Sequence, residues 1–148
     1  MLGAFIAKKK VREAFSSFND RDIPKFLESW ADDAMFIYPG DVSASGTVKG
    51  KTAIEAWFTH LMDVGPSVHF TLKSITLENI FDVVGTNVMC AEWENLVTNR
   101  AGTKMVVHGV SVIKIKRGKI TQVRDYIFDT GKLPLAWCET GEPSQSTS

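Results

Sequence analysis

Cysteine is scarce in this chain: Cys90 and Cys138 are the two among 148 residues. That is too few for a disulfide framework, and neither stands in a redox or zinc spacing, so reduced thiols in a cytoplasmic protein are expected. Net charge is missing too. Seventeen Lys+Arg balance seventeen Asp+Glu, which removes the electrostatic ground for a nucleic-acid partner. No apolar run approaches the ~18 residues a membrane helix needs, so no membrane partner is expected. The start, Met1 to Ala7 followed by Lys8-Lys9-Lys10, places its basic cluster after a very short apolar stretch, the reverse of a secretion signal. The three histidines, His60, His69 and His108, have no HxH or HxxxH spacing, so no metal is expected. Glycine-rich phosphate loop, nucleophile elbow and Cys–His pairing are all absent, which points to chemistry without a cofactor.

What remains is 44% apolar and 23% charged residues, with nine Phe, four Trp and two Tyr. A chain of this length buries roughly 68–70% of its unfolded surface, enough for one domain with a real core. We assign residues 1–138 to that domain. Glu139 to Ser148, small and polar, reads as a flexible tail.

Residues 5–19 carry Val11, Ala14, Phe15 and Phe18 at helical spacing. Asp22 suits an N-cap with Pro24 in the first turn of a second helix bearing Phe26, Leu27 and Trp30. A short strand, 34–38, ends at Pro39-Gly40, and a Gly/Ser-rich loop occupies 40–50. Thr52 and Glu55 read as a capping box opening a third helix, with Ile54, Trp57, Phe58, Leu61 and Met62 on one face. After Gly65-Pro66 the period changes to two. Val68, Phe70 and Leu72 alternate with polar residues, and strand-like character continues through Ile80-Phe81. Three long strands follow at 87–98, 103–116 and 119–128, joined by connections short enough for antiparallel hairpins. Helices first and a long curled sheet afterwards is an α+β order. Such a sheet should bend around the helices and enclose a cavity.

Asp125 is the residue least at home in its pattern, a carboxylate sharing a strand face with Val123 and Ile127. If that face is interior, burial raises its pKa and suits it to proton transfer near neutral pH. The alternative is that it faces solvent or pairs with a neighbour such as Arg124. Glu92 and Glu94 share a face with Val88, Cys90 and Leu96, while Met89, Ala91, Trp93 and Val97 occupy the other. Alternation leaves open which face looks inward. On one reading the glutamates are solvated. On the other, one of them sits beside Asp125 and shares a proton with it. His108, among Val106, Val110 and Val112, is a candidate proton shuttle or a satisfied structural histidine. Tyr38 could offer its hydroxyl to a ligand or make a structural hydrogen bond. Trp30, Phe15, Trp57, Phe58, Met62 and Trp93 are candidates for an apolar pocket wall, with plain core packing the alternative for the tryptophans.

Two stretches together resemble a known family. Phe26-Leu27-Glu28-Ser29-Trp30-Ala31-Asp32-Asp33-Ala34 followed by Val48-Lys49-Gly50-Lys51-Thr52-Ala53-Ile54 is similar to the front half of a SnoaL-like domain. Gly109-Val110-Ser111-Val112, Arg117-Gly118-Lys119-Ile120 and Val123-Arg124-Asp125-Tyr126 are similar to its back half. The resemblance covers roughly residues 5–137. It places the chain in the nuclear-transport-factor-2-like group with ketosteroid isomerases and limonene epoxide hydrolases. It implies a cone-shaped α+β barrel, a curved antiparallel sheet wrapped around three N-terminal helices, with an apolar pocket into which Asp125 points. It also implies a homodimer through the outer face of the sheet.

The departures from the group narrow the chemistry. Where the isomerases carry a tyrosine and two acids, this chain has Ala14, Tyr38 and Ser111. Where the epoxide hydrolases use Asp–Arg–Asp, Asp125 and Glu94 match the acids but Glu92 stands at the arginine position. The family often ends the last strand Asp-Tyr-Phe-Asp, and here an extra residue displaces Asp129. The expectation is therefore a cofactor-independent acid/base enzyme of cyclase, isomerase or hydrolase type, acting on a small apolar molecule. Asp125 would work with Glu92, Glu94 or His108. The competing expectation is a non-catalytic binding or dimerisation module, its cavity filled by its own aromatic side chains.

Overall fold

Helix α1, Leu2–Asn19, buries Val11 and Phe18 along its apolar stripe and leaves Arg12 and Glu13 in water. A computed structural model describes residues 2–80 and 85–139. The helix ends on the edge of the sheet. Asn19 Nδ2 donates to the Phe70 carbonyl at 2.8 Å, and its Oδ1 accepts from the Phe70 amide at 2.9 Å. One side chain thereby satisfies both backbone groups of an edge-strand residue. Asp22 caps α2, Ile23–Phe26, by accepting from the Lys25 amide at 3.1 Å. This helix is shorter than the apolar spacing suggests, because Trp30 belongs instead to strand β1, Trp30–Tyr38.

The Gly/Ser-rich stretch contains a short strand, β2, Gly46–Lys49. Helix α3, Lys51–Val64, begins at Gly50, whose φ of 87° favours glycine. Thr52 therefore lies within the first turn, and its hydroxyl makes no cap: the expected Thr52–Glu55 capping box does not form. Ile54, Phe58 and Leu61 face the core. Strands β3, Ser67–Leu77, β4, Thr86–Thr98, β5, Lys104–Lys116, and β6, Lys119–Ile127, complete a six-stranded sheet. β3 stops before Ile80, and Phe81 lies outside the described residues.

The sheet order is β2-β1-β6-β5-β4-β3, curled but not closed into a barrel. One pair corrects the wholly antiparallel expectation: β1 and β6 run parallel. A parallel neighbour needs a long crossover, and the chain from β2 through β5 supplies it. After β6, Thr130–Lys132 make a 3₁₀ turn and Leu133–Ala136 a one-turn helix, α4. Glu139, expected to begin a frayed tail, accepts hydrogen bonds from the Ser43 amide at 3.0 Å and from its hydroxyl. Residues 140–148 lie outside the described residues.

Side-chain alternation turns Met89, Ala91, Trp93, Asn95 and Val97 of β4 toward the helices, all buried. Register then stacks the inner face in layers. Met89 pairs with Ile113, Ile113 with Val123, and Val123 with Phe36. One layer on, Ala91 pairs with Ser111 and Ser111 with Asp125. Leu27, Ile54 and Met89 are the largest side chains almost wholly withdrawn from water. Each contributes about 1.5–3 kcal/mol of transfer free energy.

Candidate functional site

Between the helices and the concave face of the sheet lies a cavity of about 280 Å³. Its wall is mostly aromatic and aliphatic, including Phe15, Trp30, Tyr38, Trp57, Phe58 and Trp93. Met62 is not among the lining residues; it packs half-buried against the core. The aromatic residues do not fill the space between them.

One layer of this apolar wall is polar. Asp125 lines the cavity from β6, and Ser111 beside it on β5 donates its hydroxyl to Asp125 Oδ1 at 2.6 Å. Trp93 Nε1 donates in turn to Ser111 Oγ at 2.9 Å. The indole reaches Ser111 only because residue 109 lacks a side chain. A Cβ at Gly109 would stand 2.4 Å from Trp93 Cη2 and 2.8 Å from the Tyr126 carbonyl oxygen. Burial pushes the Asp125 carboxyl up from 3.8 to about 6, with the Ser111 hydrogen bond acting against the rise.

Tyr38 ends β1 one residue beyond the Ile37–Arg124 pair, which sets it beside Asp125 across the parallel ladder. Burial pushes its phenol up to about 12, the Trp137 hydrogen bond pulls it down, and the charge of Asp125 adds to the rise. Trp137 Nε1 donates to the Tyr38 oxygen at 3.2 Å. The oxygen is thus an acceptor already, and among the described residues no protein acceptor takes its hydrogen. The cavity therefore holds a carboxylate of near-neutral affinity for protons beside a phenol that keeps its own.

The other acid/base candidates lie on the opposite face of the sheet. Glu92 accepts from the Ser74 hydroxyl at 2.8 Å, and Glu94 meets Lys73 at 3.4 Å. His108 Nε2 stands 3.8 Å from Glu94, and its Nδ1 3.0 Å from Asp129. None of these three lines the cavity with Asp125. Alternation requires this once Trp93 points inward, because Glu92 and Glu94 flank it and His108 is paired with Glu94. Asp129 also accepts from the His108 amide at 2.8 Å and lies 3.2 Å from Lys132. The His108 amide first, then the imidazole and Lys132, hold its carboxyl down at about 2. This cluster fastens Asp129 and Lys132, just after β6, to β5 on the outer side of the sheet.

Ser111 and Trp137 are site residues that the sequence reading did not single out as such. Ser111 had a signal: it is a polar residue alternating in register with Val107, Gly109 and Ile113. Trp137 had none, because the segment around it has no periodic pattern.

A helical layer packed on a curled six-stranded mixed sheet is the nuclear-transport-factor-2-like α+β fold, and here an apolar cavity lined by Asp125 lies between the two. The sequence matches the SnoaL-like domain family over residues 11–123, and the chain belongs to that family. Against curated proteins the sequence finds no match. Among solved structures it is similar to Bal32a from a soil-derived mobile gene cassette, with a TM-score of 0.77 and 22% identity over 91% of this chain and 98% of that one. It is also similar to an NTF2-like protein of unknown function from Burkholderia pseudomallei, with a TM-score of 0.72 and 20% identity over 93% and 98% of the two chains. RV0760c from Mycobacterium tuberculosis, solved in complex with estradiol-17beta-hemisuccinate, gives a TM-score of 0.66 and 20% identity over 84% and 92%.

Proposed function

We propose that this chain is a cofactor-independent acid/base enzyme that acts on a flat, apolar, oxygen-bearing small molecule held in the cavity. The observation that carries the reading is Asp125 set beside Tyr38 in an apolar wall, its carboxyl at about 6. At neutral pH such a carboxylate is ionised yet basic enough to take a proton from carbon next to a carbonyl. The electron pair moves to the carbonyl oxygen, and the Tyr38 O–H donates to the charge that develops there. Donation from Trp137 to the Tyr38 oxygen polarises that O–H further. Return of the proton at a second carbon completes an isomerisation. Attack of the carbanion on an internal carbonyl gives a ring closure instead. The steroid ester bound by RV0760c supports a flat substrate.

Deuterium uptake from solvent next to the carbonyl of flat bicyclic ketones, 2-tetralone among them, tests the reading. Exchange above the buffer rate is expected, rising with pH through an inflection near 6 as Asp125 ionises. Tight binding of every ketone with no exchange overturns it in favour of a binding module.

The same reading includes a homodimer through the outer sheet face. Leu96 and Tyr126 are 48% and 54% exposed there, and Phe128, in the turn just after β6, is 91% exposed, so that side carries an apolar patch suited to a partner. Among the described residues no helix is long and apolar enough to cross a membrane. Sedimentation equilibrium is expected to return twice the 16.4 kDa chain mass, and a monomer at micromolar concentration refutes the dimer.

A further inference from the structure

The cavity has a second polar point away from Asp125. Trp30 opens β1 opposite Ile120, five residues before Asp125 on β6. A β-bulge intervenes: Ile120 pairs with Ile115 and Asp125 with Ser111, so at about 3.3 Å per residue the two levels are roughly 13 Å apart along β5, less what the side chains span. Trp30 is 3% exposed, packs its rings against Phe26, Phe36 and Phe58, and borders the cavity. Its indole Nε1 is, among the described residues, the one buried side-chain polar atom with no hydrogen-bond partner.

The other three indoles show how unusual this is. Trp57 Nε1 donates to the Ala44 carbonyl at 3.1 Å, Trp93 to Ser111 and Trp137 to Tyr38. A buried donor left unmet is a standing cost, and a phenylalanine would pack against the same rings without it. Such a group is explained when a ligand supplies the missing acceptor.

We propose that Trp30 is a second ligand-binding residue, whose N–H donates to an acceptor oxygen at the far end of the molecule held at Asp125 and Tyr38. The ligand is then elongated and flat, oxygenated at both ends and apolar between them. This rests on the reading that the cavity binds a small molecule, and it holds whether or not turnover follows.

The probes are 4,4′-dihydroxybiphenyl, with an oxygen at each end, and 4-hydroxybiphenyl, with one. Calorimetric titration of the full chain is expected to show that Trp30→Phe weakens the diol about tenfold and the mono-ol less than about twofold. Unliganded Trp30→Phe should still fold, losing packing volume but no hydrogen bond, since the N–H had no partner. In the wild-type chain the Trp30 indole proton should also move downfield in NMR spectra with the diol and stay in place with the mono-ol. That measurement stands even if the variant fails to fold. Equal weakening of both probes, or an unmoved indole resonance, overturns the proposal. Failure of both probes to bind wild type overturns it together with the ligand-binding reading. Probe discrimination without ketone exchange leaves Trp30 as a ligand anchor and removes the enzyme reading alone.

Discussion

Asp125→Asn is expected to lower turnover by about 10²–10⁴-fold and, at pH 8, to make the folded chain more stable. The two effects share one cause. The Asp125 carboxyl takes up its proton at about 6 in the folded chain against 3.8 ordinarily, because burial disfavours the charge. A group whose folded value is raised contributes most favourably below its unfolded value. Between about pH 4 and 6 the unfolded chain has released this proton and the folded chain retains it. Wild-type stability therefore falls across that window, by about 3 kcal/mol for two pH units, and stays reduced above it. An asparagine carries no charge to desolvate and can still accept from the Ser111 hydroxyl. Urea denaturation of both proteins should show the variant ahead by up to about 3 kcal/mol at pH 8, with the gain shrinking toward zero near pH 4. Asp129, held down at about 2, changes stability in the opposite sense at lower pH, but it is common to both proteins and cancels in the difference. An unchanged or reduced stability at pH 8 would mean that the carboxylate is compensated in place and is no poised base. Retention of that cost in the wild type is what a working acid/base group requires.

Much of this site is legible in the chain itself. Asp125 stands out because the residues two positions either side, Val123 and Ile127, are apolar on the same strand face. The hairpins are legible because residues 99–103 and 117–118 are too few for any other connection between such strands. The inward face of β4 is not. Val88, Cys90 and Leu96 are as apolar as Met89, Ala91 and Val97, because the outer face itself carries an apolar patch, and alternation alone cannot rank them. Trp93 decides the matter in three dimensions: its bulk fits over Gly109 and its N–H finds Ser111 on the inside. Local signals also lose where tertiary contacts intervene. Thr52 and Glu55 have capping-box spacing, yet the Gly50 amide donates to the Ala34 carbonyl at 2.8 Å and starts α3 earlier. The parallel pairing of β1 with β6 is invisible for another reason. A strand's own alternation says which side it buries and nothing about the direction of its neighbour.

The largest loss of stability is expected from Phe58→Ala, at about 3–5 kcal/mol. Phe58, 6% exposed on α3, is the hub of the aromatic core. Its ring centroid lies 5.6 Å from that of Phe18, 5.0 Å from Phe26, 6.3 Å from Trp30, 5.0 Å from Phe36 and 4.9 Å from Trp57. Most of these contacts are edge-to-face, worth about 0.5–1.5 kcal/mol per pair beyond the area they bury, although such terms do not add. Domains of this kind have about 5–15 kcal/mol in all, so the variant approaches the edge of folding. The neighbouring rings come from α1, α2, β1 and α3, and no single helix can shift to close the gap without uncovering another. Because Phe58 also lines the cavity, the hole joins an existing space and is reachable by a small aromatic molecule. Benzene added at a hundred times its dissociation constant should return about 2.7 kcal/mol to the variant. Urea denaturation with and without benzene reads both numbers. A loss below about 1 kcal/mol would show that α3 collapses onto the cavity, which would make the cavity a property of Phe58 packing instead of the fold.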